Sequence, residues 1–263
     1  MVSLRKLMVR TLQATGLNRT AHRLYYRHVH GFEPATAAVA DAMQRVLAMA
    51  DADGLLDQGD YCEFGIFKGA TLWSVQRQLA QKHPRSRMRC FGFDSFEGLP
   101  ELRHDADRTD HDEFYAGQYA CGYDQVRAQM EQAGTDWSRT FLVKGFFDQS
   151  LTEEMAASHG LDRVAIALVD CDLYASTVDV LRFLAPRLVD NAIVLMDDWG
   201  CFRNDPNRGQ QRALRECVDA LPEVHVTSLF SYGAWGQVFR WHTTANAASA
   251  ENDERDSVYA VES

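Results

Sequence analysis

Four aspartates fall in two short stretches of this chain, Asp170-Cys171-Asp172 and Asp197-Asp198. Each stretch ends a run of apolar residues, Val164 to Val169 and Ala192 to Met196. Runs that short and apolar read as buried strands, so the acids stand at strand ends. If the two strands are neighbours, three or four carboxylates gather at one sheet edge. Unpaired carboxylates at close quarters repel and raise one another's pKa, and a divalent cation resolves that conflict. A ligand set of oxygens alone suits Mg²⁺, with Ca²⁺ or Mn²⁺ as the other options. Asp170, Asp197 and Asp198 are therefore the candidate metal ligands and catalytic groups. The competing role for such residues is capping a following helix, open here to both Asp170 and Ser176.

A fifth aspartate, Asp94, ends an earlier apolar run, Met88 to Phe93. A carboxylate at that place can accept hydrogen bonds from the two hydroxyls of a ribose. Ahead of it, Glu63-Phe64-Gly65-Ile66-Phe67-Lys68-Gly69 joins a short apolar run to an amphipathic helix. Glycine at such a turn lets a ligand approach the backbone closely. The two glycines fall short of a full dinucleotide fingerprint. Residues 100–123 are polar and rich in Asp and His. A loop of that length inside a compact domain is a candidate lid, and its His104 and His111 could act as bases.

Short apolar runs alternating with helical patterns position these residues. Strands are expected at Tyr61–Gly65, 88–93, 140–143, 164–169 and 192–196. Helices are expected between them, including one capped by Ser176 and running to Ala185. Two late strands, near 224–230 and 236–241, would pair as a hairpin. The implied fold class is α/β, a doubly wound and mostly parallel sheet with ligands at the carboxyl ends of its strands. Residues 1–58 read as an N-terminal helical cap, 59–242 as the main domain, and 243–263 as a disordered acidic tail.

The chain has 263 residues and a net charge of −10. The acidic balance argues against nucleic acid as a partner, although residues 1–30 carry six Arg and Lys and no acid. No run approaches the length needed to span a bilayer. Six cysteines without CxxC spacing argue against a zinc site or redox dithiol and suit the cytoplasm. The helical N-terminus would suit a homo-oligomer.

From Tyr61 to Arg240 the chain resembles the macrocin O-methyltransferase family. The resemblance rests on Glu63-Phe64-Gly65 with Lys68-Gly69, on Asp94-Ser95-Phe96-Glu97-Gly98-Leu99-Pro100, and on Lys144-Gly145-Phe146-Phe147. It also rests on Asp170-Cys171-Asp172-Leu173-Tyr174, on Asp197-Asp198-Trp199 and on Gln210-Gln211-Arg212-Ala213. It implies a Rossmann-like enzyme that uses S-adenosylmethionine and Mg²⁺ to methylate a hydroxyl, on a sugar or a vicinal diol, of a small-molecule natural product. On that resemblance Glu63, Gly65 and Gly69 would line the methionine end of the cofactor. Asp94 and Ser95 would hold the ribose, and Phe147 and Asp148 would lie near the adenine. Asp170 would touch cofactor and metal, with Asp197 and Asp198 completing the metal site. Catechol methyltransferases carry a lysine base after the first metal aspartate. Here Cys171-Asp172-Leu173 stands instead, which leaves the base open. Two alternatives keep the fold: a metal-independent methyltransferase, and a non-catalytic S-adenosylmethionine-binding regulator. Phe114, Tyr115, Tyr119, Tyr123, Trp199 and Trp235 could line an acceptor pocket or belong to core and interfaces.

Overall fold

The computed structural model describes residues 37–107 and 114–243. Most of the expected cap, His111 and the expected acidic tail lie outside the described residues. Helix α1 (Ala37–Ala52) ends before Gly54, which takes a left-handed conformation. Its Met43, Val46, Leu47 and Ala50 are buried in the same core as the sheet, so this part of the cap is built into the main domain.

The alternation then proceeds as β1 (Asp60–Phe64), α2 (Ala70–Lys82), β2 (Cys90–Asp94), α3 (Tyr123–Gln132) and β3 (Thr140–Lys144). It continues with α4 (Phe147–Ser150), α5 (Glu153–His159), β4 (Val164–Val169), α6 (Tyr174–Leu184) and β5 (Leu188–Met196). It closes with α7 (Gly209–Asp219), β6 (Val224–Tyr232) and β7 (Gly236–Thr243). The strands form one sheet in the order β3-β2-β1-β4-β5-β7-β6. β3, β2, β1, β4 and β5 are mutually parallel, while β7 runs antiparallel to β5 and β6. The doubly wound, mostly parallel sheet expected from the sequence is the one observed. All six residues of β4 are buried, as a strand covered by helices on both faces must be.

Two expectations need correction. Ser176 does not cap α6: the N-cap is Leu173, which offers no side-chain cap, and Ser176 lies buried in the first turn. β5 begins four residues earlier than its apolar run, because Asp190 and Asn191 interrupt the run while the strand continues through a local irregularity with Asn191 at φ 65°. Helices α4 and α5 gave no periodic signal because each is about one or two turns long. α5 is fixed instead by its ends, with Thr152 Oγ1 accepting from the Met155 N–H and Gly160 left-handed at the C-cap.

Candidate active site

The strand order reverses between β1 and β4, and a cavity of about 990 Å³ opens at the carboxyl ends there. Such a switch point is where α/β sheets bind ligands, and the volume suits a cofactor with an acceptor. Two backbones nearly touch at its floor. A Cβ on Gly65, at φ +88°, would stand 1.7 Å from the Asp170 carbonyl oxygen, so no other residue fits.

At one end of the cavity stands Asp94. Its Oδ2 accepts from the N–H groups of Ile66 and Phe67 at 2.9 Å each, and its Oδ1 accepts from the Phe96 N–H at 2.7 Å. Burial pushes its pKa up, and the three N–H donors pull it back down. A carboxylate has about four acceptor positions, so one is left for a ribose hydroxyl unless the Ile66–Phe67 loop gives way. Ser95 Oγ donates to the Gly98 carbonyl and accepts from the Glu97 N–H, which ties the Phe96–Gly98 turn. Phe147 and Asp148, at the start of α4, line the same end.

At the other end the cluster expected from the sequence is assembled. β4 pairs with β5, with Val169 opposite Met196, so the residues that follow them converge. Asp170, Asp197 and Asp198 each present an oxygen within 4.8 Å of the others. Burial, and then Asp197 and Asp198, push the Asp170 pKa well up. Asp198 is raised in the same way, by burial and by Asp172 and Asp197. Its Oδ2 accepts from the Asp172 N–H at 2.8 Å. Gln210, fully buried, places this loop: its Oε1 accepts from the Asp198 N–H and its Nε2 donates to the Val169 carbonyl. That is the role of the Gln210-Gln211 motif noted in the sequence.

The cluster fits a hard divalent cation. The donors are all oxygens without a cation beside them among the described wall residues closest to them. A buried phenol also lies against the cluster, Tyr232 Oη beside the Asp197 carboxylate. It stands close enough to Asp197 for each to perturb the other, the phenol being pushed up by burial and by that carboxylate. The Tyr232 ring passes over Gly236, where a Cβ would stand 2.4 Å from it. Sequence reading missed Tyr232; the Tyr-x-x-x-Gly spacing of the hairpin is the signal that could have found it.

Asp172, left without a role by the sequence, also lines the cavity. It holds a left-handed backbone, φ 60°, and burial followed by Asp197 pushes its pKa up to about 7. Phe114, Tyr119 and Trp235 line the cavity, whereas Tyr123 packs on Phe96 and Trp199 on Phe239. His104 is on the wall, its ring 4.5 Å from that of Tyr174.

Two expected cofactor residues, Glu63 and Gly69, are not among the residues that line the cavity. Glu63 is buried in β1, where it accepts from the Tyr61 hydroxyl at 2.6 Å, and burial pushes its pKa up to about 8. Gly69 opens α2 and faces Met130 of α3.

A doubly wound sheet with this strand order, an acid closing β2 and an oxygen cluster beyond β4 and β5 defines the Rossmann-like O-methyltransferase class. Comparison with known proteins gives the family. The macrocin O-methyltransferase (TylF) family model matches residues 37–230, and the chain belongs to that family: it is an S-adenosylmethionine-dependent O-methyltransferase. It is 29% identical over 214 residues to 8-demethyl-8-(2,3-dimethoxy-alpha-L-rhamnosyl)-tetracenomycin-C 4'-O-methyltransferase of Streptomyces olivaceus, covering 80% of this chain and 76% of that one. It is 25% identical to mycinamicin III 3''-O-methyltransferase of Micromonospora griseorubida, over 60% of this chain and 61% of that one. The fold matches the O-methyltransferase NovP with a TM-score of 0.66 at 20% identity, over 90% of this chain and 97% of that one. It matches the calicheamicin methyltransferase CalS11 at 0.62 and 23%, over 92% and 94%.

Proposed function

We propose that this enzyme methylates a sugar hydroxyl, one of a vicinal pair, on an uncharged glycosylated natural product, with Mg²⁺ assistance in the cytoplasm. The observation that carries the reading is a single cavity with a hydrogen-bonded carboxylate at one end and a cluster of unpaired carboxylates at the other. The named activities of the Streptomyces olivaceus and Micromonospora griseorubida relatives support a sugar acceptor. Six free cysteines support a reducing compartment.

Asp94 and Ser95 would take the ribose, Phe147 and Asp148 would flank the adenine, and Gly65 would let the methionine end pass the backbone. S-adenosylmethionine supplies a methyl group already activated by its sulfonium, so alignment of the acceptor is the main task left to the protein. Asp170, Asp197 and Asp198 would hold Mg²⁺, which when bound lowers the pKa of an acceptor hydroxyl. Asp172 would accept the proton: it is a wall carboxylate outside the ligand set, and its backbone is tied to Asp198. Tyr119 and Trp235, both exposed on the wall, offer faces to an apolar ring of the acceptor.

The charge of the wall narrows the acceptor further. Asp94, Glu101, Asp107, Asp148, Asp170, Asp172, Asp179, Asp197 and Asp198 line the cavity, and among its described residues Arg103 alone carries a full positive charge. Arg103 is bridged to Glu101 at 3.3 Å. A pocket of that sign favours the cationic cofactor and a neutral acceptor, and opposes a diphosphate.

Calorimetric titration with S-adenosylmethionine, in Mg²⁺ and in EDTA, is the first test. A labelled-methyl assay against neutral rhamnosides completes it. Binding of cofactor with chelator-sensitive methyl transfer is expected. Chelator-insensitive transfer would select the metal-independent alternative, and binding without transfer to any hydroxyl would favour a regulator.

A further inference from the structure

Residues 99–107 do more than line the cavity. Helix α6 begins directly after the Asp170–Leu173 loop, and the first N–H groups of a helix need outside partners. Its own N-cap residue supplies none. Asp107, 67 residues upstream of Tyr174 and 2% exposed, supplies them: its Oδ1 accepts from the Tyr174 N–H and its Oδ2 from the Ala175 N–H at 3.4 Å. We propose that Asp107 is a positioning residue, a clamp that fixes the segment 99–107 on α6 and thereby holds the Asp170–Leu173 loop in its working shape. The proposal rests on the metal-assisted reading above.

Two further contacts point to the same joint. The His104 ring packs on Tyr174, and Arg208 Nη1 donates to the Asp105 carbonyl at 3.4 Å. Leu173 is buried with Phe114 and Phe202 in a small apolar cluster, against which Leu99 and Leu102 pack. Leu173 is therefore held by apolar packing on its own side chain and by the clamp on the next residue. That matters because Asp172, its neighbour, holds the left-handed conformation that L-residues avoid. A strained residue persists only where its surroundings over-determine it. Without Asp107 the first turn of α6 loses its cap, and the loop carrying Asp170 and Asp172 loses the anchor on its far side.

The test compares Asp107→Ala, Asp107→Asn and Thr152→Ala. Thr152 caps α5 away from the cavity, so its removal is the matched loss of a cap. Amide exchange at Asp172 to Ala175 is read by mass spectrometry, and affinities for Mn²⁺ (as the metal probe) and S-adenosylmethionine are read by calorimetry. Asp107→Ala is expected to speed exchange there and to weaken Mn²⁺ about tenfold, the usual range for a group that orients a ligand. Cofactor affinity should stay within about twofold, since the Asp94 end is untouched. Asp107→Asn keeps one acceptor and should recover most of both effects. Thr152→Ala should change neither, while lowering the melting temperature about as much as Asp107→Ala. Equal exchange and Mn²⁺ affinity in Asp107→Ala and the parent would overturn the clamp. If the parent itself binds no Mn²⁺, the metal reading falls, and the exchange rates alone decide for or against the clamp.

Discussion

The two ends of the cavity hold carboxylates in opposite ways. Asp94 is surrounded by donors, three backbone N–H groups from two turns, and its charge is provided for before any ligand arrives. Asp170, Asp197 and Asp198 are packed against one another, with the Asp172 N–H reaching Asp198 and the Tyr232 phenol beside Asp197. Burial raises the pKa at both ends, but only the second end adds like charges to burial. The first arrangement suits a preformed hydrogen-bonding site for a neutral polyol, as the proposed function requires. The second stores repulsion that a cation relieves. On the proposed function, one wall would recruit a nucleoside and a metal with the same residue type.

The largest effect should come from breaking the second end. Asp197→Ala is expected to lower kcat/KM about 10³-fold, several kcal/mol of lost stabilisation of the reacting charge, with cofactor affinity nearly unchanged in calorimetry. EDTA should reproduce the loss in the parent and add nothing in the variant. Breaking the first end does the reverse. Asp94→Ala should weaken S-adenosylmethionine by about 30- to 100-fold, the loss of charge-assisted hydrogen bonds worth about 2–3 kcal/mol, while Mg²⁺ affinity holds. A result in which either variant damages both affinities equally would mean the ends are not separate sites.

The acidic wall sharpens the comparison at a smaller scale. A neutral rhamnoside is expected to outperform a nucleoside-diphosphate rhamnose by about tenfold or more in kcat/KM at low salt, with the gap closing as salt rises. Competition assays at two ionic strengths would measure it. A nucleotide sugar that wins would show that charge on the described wall does not govern the acceptor.

The smallest effect concerns Glu63, behind the cofactor end. Its folded-state pKa, about 8 against an ordinary 4.5, means that the folded protein keeps this proton where the unfolded chain gives it up. Stability therefore falls as pH rises from about 4.5 towards 8. Glu63→Gln removes that fall and can still accept from Tyr61. At pH 8 it should be more stable than the parent by about 1–3 kcal/mol, with the difference vanishing near pH 5 in denaturant titrations. Cofactor affinity should not change, because the side chain is not on the wall. A large loss of affinity would return Glu63 to the methionine end, where the sequence resemblance put it.

Local composition alone marked the strand ends, and with them where the candidate carboxylates stand. Apolar runs that stop at Asp94, Asp170 and Asp197 mark the carboxyl edge of a parallel sheet, because a carboxylate is costly to bury in a strand covered on both faces; Glu63, inside β1, is buried with its pKa pushed up to about 8 and with the Tyr61 hydroxyl as partner. Local runs of residues carry that signal, so β4 was legible to the residue and the acidic cluster followed once its strand neighboured β5. Contacts between distant segments were not legible. Asp107 looked like one acid among many in a polar stretch, and only folding set it on the first turn of α6. Tyr232 reaches Asp197 only because β7 lies between β5 and β6 and Gly236 leaves room for the ring. Glu63 shares a motif with Gly65, yet only the fold shows its carboxylate buried and paired with Tyr61, two residues back on the same strand face. Spacing along the chain fixes which residues end an element; which of them face one another is decided by strand order, register and the sheet's two faces.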